Sequence, residues 1–174
     1  MTGCGATAMA QVLRYWEWPK VGIGQKNYFE DDYGIIRVNF SNTMYDYDNM
    51  IDKLTKNSPV EAKKAVATLM YHCGVGLEMN YGIDASGAYP GEMVDALIAY
   101  FGYPSTSYAN RNYMSDANWI NILKEELNND RPILYNGWDI ERMGHSFVCD
   151  GYDESGNFHF NWGWGGYSDG YFAI

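Results

Sequence analysis

The feature that most limits the fold of this chain is a change of hydrophobic period near Pro132. Before it, apolar residues recur at helical spacing, as Met9, Val12, Leu13 and Trp16 do on one helix face. After it, Ile133 to Asn136, Ser146 to Tyr152, Phe158 to Trp162 and Tyr171 to Ile174 read as short strands. Turn clusters such as Glu154-Ser155-Gly156-Asn157 separate them, and that cluster would pair the second strand with the third. Helices first and strands last predict an α+β domain, mainly helical over 1–130 and β over 131–174. At 174 residues the chain suits a single domain, 1–174. It shows no internal repeat, low-complexity tract or linker.

The first helix opens at or just before Cys4 and stops at Trp18-Pro19, since the residue before proline avoids the helical region. Residues 20–45 read as irregular, with strand-like pieces from Gly34 to Phe40. A second helix is predicted over 46–56, with Met50, Ile51 and Leu54 facing inward. The third has Ser58 as N-cap, Pro59 as N1 and Glu61 as N3, a capping box. Its buried face would be Ala62, Ala65, Val66, Leu69, Met70 and Cys73, with Gly74 as a left-handed C-terminal cap. A loop from Asn80 to Tyr89 leads to a helix between Pro90 and Gly102. A further helix is predicted from Asp116 to Asn128.

Composition excludes several classes of function. The net charge is −10 with no run of Lys or Arg, which disfavours nucleic acid as a partner, because phosphate binding needs a basic stripe. No segment approaches the roughly 20 apolar residues of a membrane-spanning helix. No signal peptide is visible, Met1 lying only three positions before Cys4. Three cysteines cannot all pair within one chain, so at least one thiol is free. Cys73 and Cys149 occupy helix-core and strand positions, where a cysteine behaves as a small hydrophobe. His72, Cys73, His145, Cys149 and His159 have spacings unlike any zinc arrangement, and Glu30-Asp31-Asp32 reads as a solvated loop that lacks the calcium-loop pattern. No metal and no cofactor is expected.

Cys4 is the cysteine with a chemical setting. At a helix start the unpaired N–H groups and the dipole favour a thiolate, and Gly3 and Gly5 leave the sulfur accessible. The Cys4 N–H can itself serve as an oxyanion donor. The plainer reading is a core cysteine near a chain end, and position alone does not separate the two. His145 begins an alternating strand in Gly144-His145-Ser146-Phe147-Val148, and a thiol nucleophile needs such a base to hold its proton and later release it. A structural histidine would look the same. Asn161-Trp162-Gly163-Trp164-Gly165-Gly166 then offers a rigid aromatic wall beside exposed backbone. Strand pairing would bring Asn161 and Trp162 close to His145, as a third group that orients and shields the imidazole. An aromatic sugar-binding platform is the other reading of that stretch.

Taken together, Thr2-Gly3-Cys4-Gly5-Ala6-Thr7-Ala8-Met9-Ala10-Gln11-Val12 resembles the nucleophile segment of the streptopain family of papain-like cysteine peptidases. Gly144-His145-Ser146-Phe147-Val148-Cys149-Asp150-Gly151 and Asn161 to Gly166 resemble its histidine and tryptophan segments. Glu78-Met79-Asn80-Tyr81-Gly82 through Ser86-Gly87-Ala88 resembles its substrate-binding loop. The resemblance spans the chain. It implies a papain-like fold, endopeptidase activity on proteins, secretion, and synthesis as a zymogen with a propeptide. It further implies Cys4 as nucleophile, His145 as acid and base, and Trp162 packed over the histidine, with Asn161 as a possible polar contact. Met79 and the Ser86, Gly87 and Ala88 backbone would line the cleft, Gly144 would bond the substrate main chain, and Trp164 would flank it. A cleft with Met79 would favour an apolar side chain at the second position before the cut.

The family's second oxyanion donor, a glutamine upstream of the nucleophile, has no counterpart here, since Gln11 and Gln25 both follow Cys4. The propeptide and the final strands are also lacking, so the sequence is expected to be cut at both ends. The leading expectation is a monomeric cysteine endopeptidase that acts on protein or peptide substrates and can meet a propeptide or a proteinaceous inhibitor. A truncated peptide-binding domain without activity and an aromatic glycan-binding module are the rivals.

Overall fold

A computed structural model of the chain describes residues 2–141 and 143–174. They form two compact units, one running through Thr106 and the other from Ser107 to Ile174.

The first unit begins with α1 (Cys4–Trp16), whose buried face includes Ala6, Met9, Val12 and Leu13. This is the face that the apolar spacing predicts. The helix closes on Glu17 in a left-handed conformation, and its N–H returns to the carbonyl of Arg14. A hairpin follows, β1 (Gln25–Glu30) paired antiparallel with β2 (Gly34–Asn39). Only its second strand is foreshadowed by the sequence. α2 (Val60–Gly76) packs on α1, and α3 (Glu92–Phe101) ends at Gly102 in the left-handed region, as expected.

Three local expectations fail for identifiable reasons. The predicted helix over 46–56 is absent. Tyr47–Asn49 forms a single 3₁₀ turn, and Met50 is buried while Ile51 and Leu54 are exposed. Tyr45 and Tyr47 instead carry the burial of this segment, lying side by side in the interior. Ser58 does not cap α2. Pro59 is the N-cap, and the Ser58 hydroxyl accepts from the Thr55 N–H at 2.8 Å, closing the preceding turn. Nor does Gly74 terminate α2, which continues through Gly76. Of the expected buried face, Ala62, Ala65, Leu69 and Cys73 are buried, whereas Val66 and Met70 are only half covered.

In the second unit, α4 (Asp116–Asn128) is capped by the Ser115 hydroxyl, which accepts from the Asn118 N–H. It lies against a four-stranded antiparallel sheet of β3 (Ile133–Trp138), β4 (Gly144–Tyr152), β5 (Phe158–Asn161) and β6 (Gly170–Phe172), in that spatial order. Trp119 and Leu123 from the helix meet Phe147, Cys149, Phe158 and Phe160 from the sheet in one core. The Trp119 indole N–H donates to the Tyr135 hydroxyl at 3.2 Å, which satisfies the polar edges of both rings. The architecture is α+β, with helices in the N-terminal half and an antiparallel sheet in the C-terminal half.

Candidate active site

Cys4 is the first residue of α1, and Gly3 before it adopts φ 81° and ψ 145°. That conformation disfavours any side chain with a Cβ. The Gly3 carbonyl accepts from both the N–H and the hydroxyl of Thr7, at 3.1 and 3.0 Å, so the turn leading into Cys4 is held from inside the helix. Gly3 also rests on another part of the unit. A Cβ at this position would lie 2.6 Å from Sδ and 2.8 Å from Cε of Met79, and 3.3 Å from the Ser86 carbonyl oxygen. Cys4 itself is half-buried.

The other two thiols are held neutral. Burial raises Cys73 above the ordinary thiol range and pushes Cys149 up to about 12. Both are core residues, as the sequence suggests.

The segment after α2 places the expected substrate-loop residues. Met79 is fully buried, so it supports Gly3 from below rather than offering a face to solvent. Asn80 and Gly87 pair as an isolated antiparallel bridge, exchanging hydrogen bonds at 2.9 and 3.0 Å. The Ser86 hydroxyl accepts from the Gly82 N–H at 3.2 Å. Gly87 is exposed, with open space where a side chain would stand, and Ala88 beside it is half-buried. Ile83, 87% exposed, stands at the tip of this loop.

In the second unit, His145 sits opposite Gly137 near the start of β4, and Gly144 sits opposite Trp138. The His145 Nε2 lies 2.9 Å from the carbonyl oxygen of Trp162. A carbonyl oxygen only accepts, so Nε2 carries the hydrogen and the lone pair of the neutral ring is on Nδ1. Aromatic rings surround the imidazole. Trp164 lies 5.0 Å away at 34°, Phe147 5.8 Å away and nearly parallel, and Trp162 6.2 Å away at 25°. Trp162 and Trp164 stack on each other at 5.9 Å.

The loop that carries these tryptophans is pinned at several points. The Asn161 side-chain oxygen accepts from the Gly163 N–H at 3.0 Å. The Trp162 N–H donates to Asp169 and its indole N–H to the Ser168 carbonyl, both at 3.0 Å. Asp169 was not among the residues singled out from the sequence. Its only signal is its place in the Ser168-Asp169-Gly170 turn that closes the tryptophan loop. Each unit thus gathers one group of the expected residues, Cys4, Met79 and Ser86 in the first and Gly144, His145, Asn161, Trp162 and Trp164 in the second.

Among the described residues, no group of three or more His, Cys, Asp or Glu is arranged to hold a metal ion, and no helix is long and apolar enough to cross a membrane. His159 pairs through Nδ1 with Asp150 on the other side of the sheet from Phe160, away from His145.

The model of the Peptidase C10 family matches residues 1–172. The thiol protease/hemagglutinin PrtT of Porphyromonas gingivalis is 37% identical over 99% of the chain and 20% of its own length. Streptopain of Streptococcus pyogenes is 32% identical over 99% of the chain and 45% of its own length. The chain therefore spans less than half the length of these curated relatives. Among solved structures, active wild-type interpain A, a cysteine protease of Prevotella intermedia, superposes with a TM-score of 0.93. It is 42% identical, and the match covers 99% of this chain and 74% of that one. A prointerpain A fragment from the same organism gives a TM-score of 0.92 at the same identity, over 99% of this chain and 56% of the fragment. A family match over nearly every residue, together with a shared papain-like fold, shows that this chain belongs to the Peptidase C10 family of cysteine peptidases.

Proposed function

We propose that the chain is the catalytic domain of a thiol endopeptidase, in which Cys4 is the nucleophile and His145 its acid and base. The observation that carries this reading is the hydrogen bond from His145 Nε2 to the Trp162 carbonyl. It commits the ring to one tautomer and leaves Nδ1 as the nitrogen that takes a proton. Membership of a cysteine peptidase family and the position of Cys4 at a helix N-terminus support the same roles.

The reaction follows from those roles. His145 Nδ1 takes the Cys4 proton, and the sulfur attacks the scissile carbonyl carbon, forming a C–S bond as the π pair moves to oxygen. The Cys4 N–H donates to that oxyanion. Collapse breaks the C–N bond, and the imidazolium gives its proton to the departing amine. Water, deprotonated by His145, then attacks the thioester and releases the acid, and the sulfur leaves as thiolate. Trp162 and Trp164 limit water around the imidazole and hold its plane. Main-chain groups at Gly144 and Ser86 to Ala88 would hold an extended polypeptide, with Trp164, 54% exposed, as an apolar contact for it. We place the activity outside the cell, on protein substrates, with control by a propeptide or a protein inhibitor.

The test is alkylation and turnover of the folded chain. Iodoacetamide should label Cys4 ahead of Cys73 and Cys149, and both Cys4→Ala and His145→Ala should abolish cleavage of an unstructured protein. A folded chain whose Cys4 resists the reagent, and which cleaves nothing, would leave a peptide-binding domain without catalysis. Cleavage that survives Cys4→Ala would overturn the assignment of the nucleophile.

A further inference from the structure

β1 alternates, and its inward side chains fall at Lys26, Tyr28 and Glu30. Each of the three grips a successive point of the segment that follows α2. The Lys26 ammonium donates to the Gly76 carbonyl at 3.2 Å and pairs with Glu78 at 3.0 Å. The Tyr28 hydroxyl donates to the Met79 carbonyl at 2.7 Å. Glu30, 4% exposed, accepts from the Tyr81 N–H at 3.2 Å through one oxygen, and through the other from the N–H groups of Asp32 and Tyr33, both at 2.9 Å. The strand therefore acts as a splint along 76–81, with a grip at every second residue.

The middle grip matters most for Cys4. Met79 is the residue on which Gly3 rests, and Gly3 is bonded directly to the nucleophile. A shift of Met79 is passed to Gly3 by contact, because the sulfur and terminal methyl of Met79 fill the space where a Gly3 side chain would be. Burial keeps the Tyr28 hydroxyl protonated well past the ordinary phenol range, so it remains a donor to Met79.

We propose that Tyr28 is a positioning residue for the nucleophile, fixing Met79 through its carbonyl and thereby the seat of Gly3 and the aim of the Cys4 sulfur. The proposal rests on the reading of Cys4 as nucleophile, and it predicts that one hydroxyl, on a strand with no catalytic group, controls the rate of chemistry. Lys26 and Glu30 hold the two ends of the same segment and act through it less directly.

The experiment compares Tyr28→Phe with Tyr71→Phe in the folded chain. Tyr71 reaches the same hairpin from α2, its hydroxyl 3.5 Å from the Arg37 carbonyl on β2, and so serves as a matched loss of one phenolic hydroxyl. Three quantities are read: the urea midpoint, the second-order rate of Cys4 alkylation by iodoacetamide below that midpoint, and kcat and KM on a peptide substrate. Tyr28→Phe should lower kcat about tenfold with KM nearly unchanged, part of the roughly hundredfold that a 1 Å misplacement can cost. It should also slow Cys4 alkylation, whereas Tyr71→Phe should change only the midpoint. If Tyr28→Phe moves the midpoint but leaves both alkylation and kcat at wild-type values, the role is purely structural and the proposal falls. If the wild type cleaves nothing yet Tyr28→Phe still alters Cys4 alkylation, the seat stands and the peptidase reading fails.

Discussion

Trp162 holds His145 through its main chain, the imidazole Nε2–H donating to the Trp162 carbonyl oxygen at 2.9 Å. The tryptophan peptide is in turn fixed by Asp169, whose carboxylate accepts from the Trp162 N–H at 3.0 Å. Orientation of the imidazole therefore depends on a residue seven positions further on, in the turn that closes the loop. This arrangement gives the indole two duties, cover for the imidazole and an anchor to the Ser168 carbonyl.

Asp169→Ala removes the acceptor that fixes the Trp162 peptide. The expected cost is about 1–2 kcal/mol in stability for the lost hydrogen bond, and about tenfold in kcat from looser placement of the imidazole. Asp169→Asn keeps an oxygen in the same place and should retain most of both. Steady-state kinetics on the two variants, with urea unfolding beside them, checks this. Equal losses in Ala and Asn variants would mean that the charge matters and not the acceptor.

Gly3→Ala meets two obstacles, a positive φ and the side chain of Met79. A left-handed or stretched backbone at a non-glycine residue costs about 1–3 kcal/mol. Met79 must also yield, and because Gly3 adjoins Cys4, kcat should fall with stability. Shortening the neighbour should relieve only the contact. In a double-mutant cycle, Gly3→Ala combined with Met79→Ala should be less destabilised than the sum of the single changes. Strict additivity in urea unfolding would show that Met79 does not press on Gly3.

The chain signals its periodic elements well and its irregular contacts poorly. α1, α3, α4 and the pairing of β4 with β5 are legible because one face of each element is buried, and burial enforces the period. The segment over 46–56 has apolar residues at helical intervals too, yet its burial is carried by Tyr45, Tyr47 and Met50 in irregular backbone. Cys4 and His145 stand out because their motifs are short and contiguous. Tyr28 and Asp169 do not, since each acts through hydrogen bonds to main-chain groups, which leave no mark on the identity of the partner residue, and Glu30, which the sequence places in a solvated acidic cluster, is instead buried on such bonds.

Gly74 shows how a correct residue can be given the wrong reason. It reads as a helix cap, but it lies within α2, where a Cβ would run into the Tyr81 hydroxyl. Gly74→Ala should therefore destabilise by about 1–3 kcal/mol, the usual range for overpacking, despite alanine's better helix propensity. Tyr81→Phe deletes the offending atom, leaving the ring carbon that carried it at 3.2 Å from the new methyl. In that background Gly74→Ala should cost less. Thermal or urea unfolding of the four proteins decides it, and an unchanged cost would place the strain elsewhere.

His72 should give unit 1 a pH-dependent stability. The residue is 7% exposed, its Nδ1 lies 2.9 Å from the Tyr45 hydroxyl, and Phe40 packs edge-on against its ring. Burial pushes its imidazole down to about 4 from an ordinary 6.5. Above pH 6.5 the ring is neutral in both folded and unfolded chains and contributes no pH dependence. As the pH falls from 6.5 toward 4, the unfolded chain takes up a proton that the folded chain refuses, so stability declines over that window. The full effect is roughly 3 kcal/mol by pH 4. His72→Gln keeps a neutral polar group and removes the titration, so it should flatten this part of the profile. Glu126 and Asp153, held below the ordinary carboxylate range by hydrogen bonds from Arg131 and from Asn157, add a loss at lower pH that both proteins share. Urea midpoints at pH 7.5, 5.5 and 4.5 should therefore diverge between wild type and His72→Gln. Parallel profiles would mean that the imidazole is protonated in the folded chain as readily as in the unfolded one.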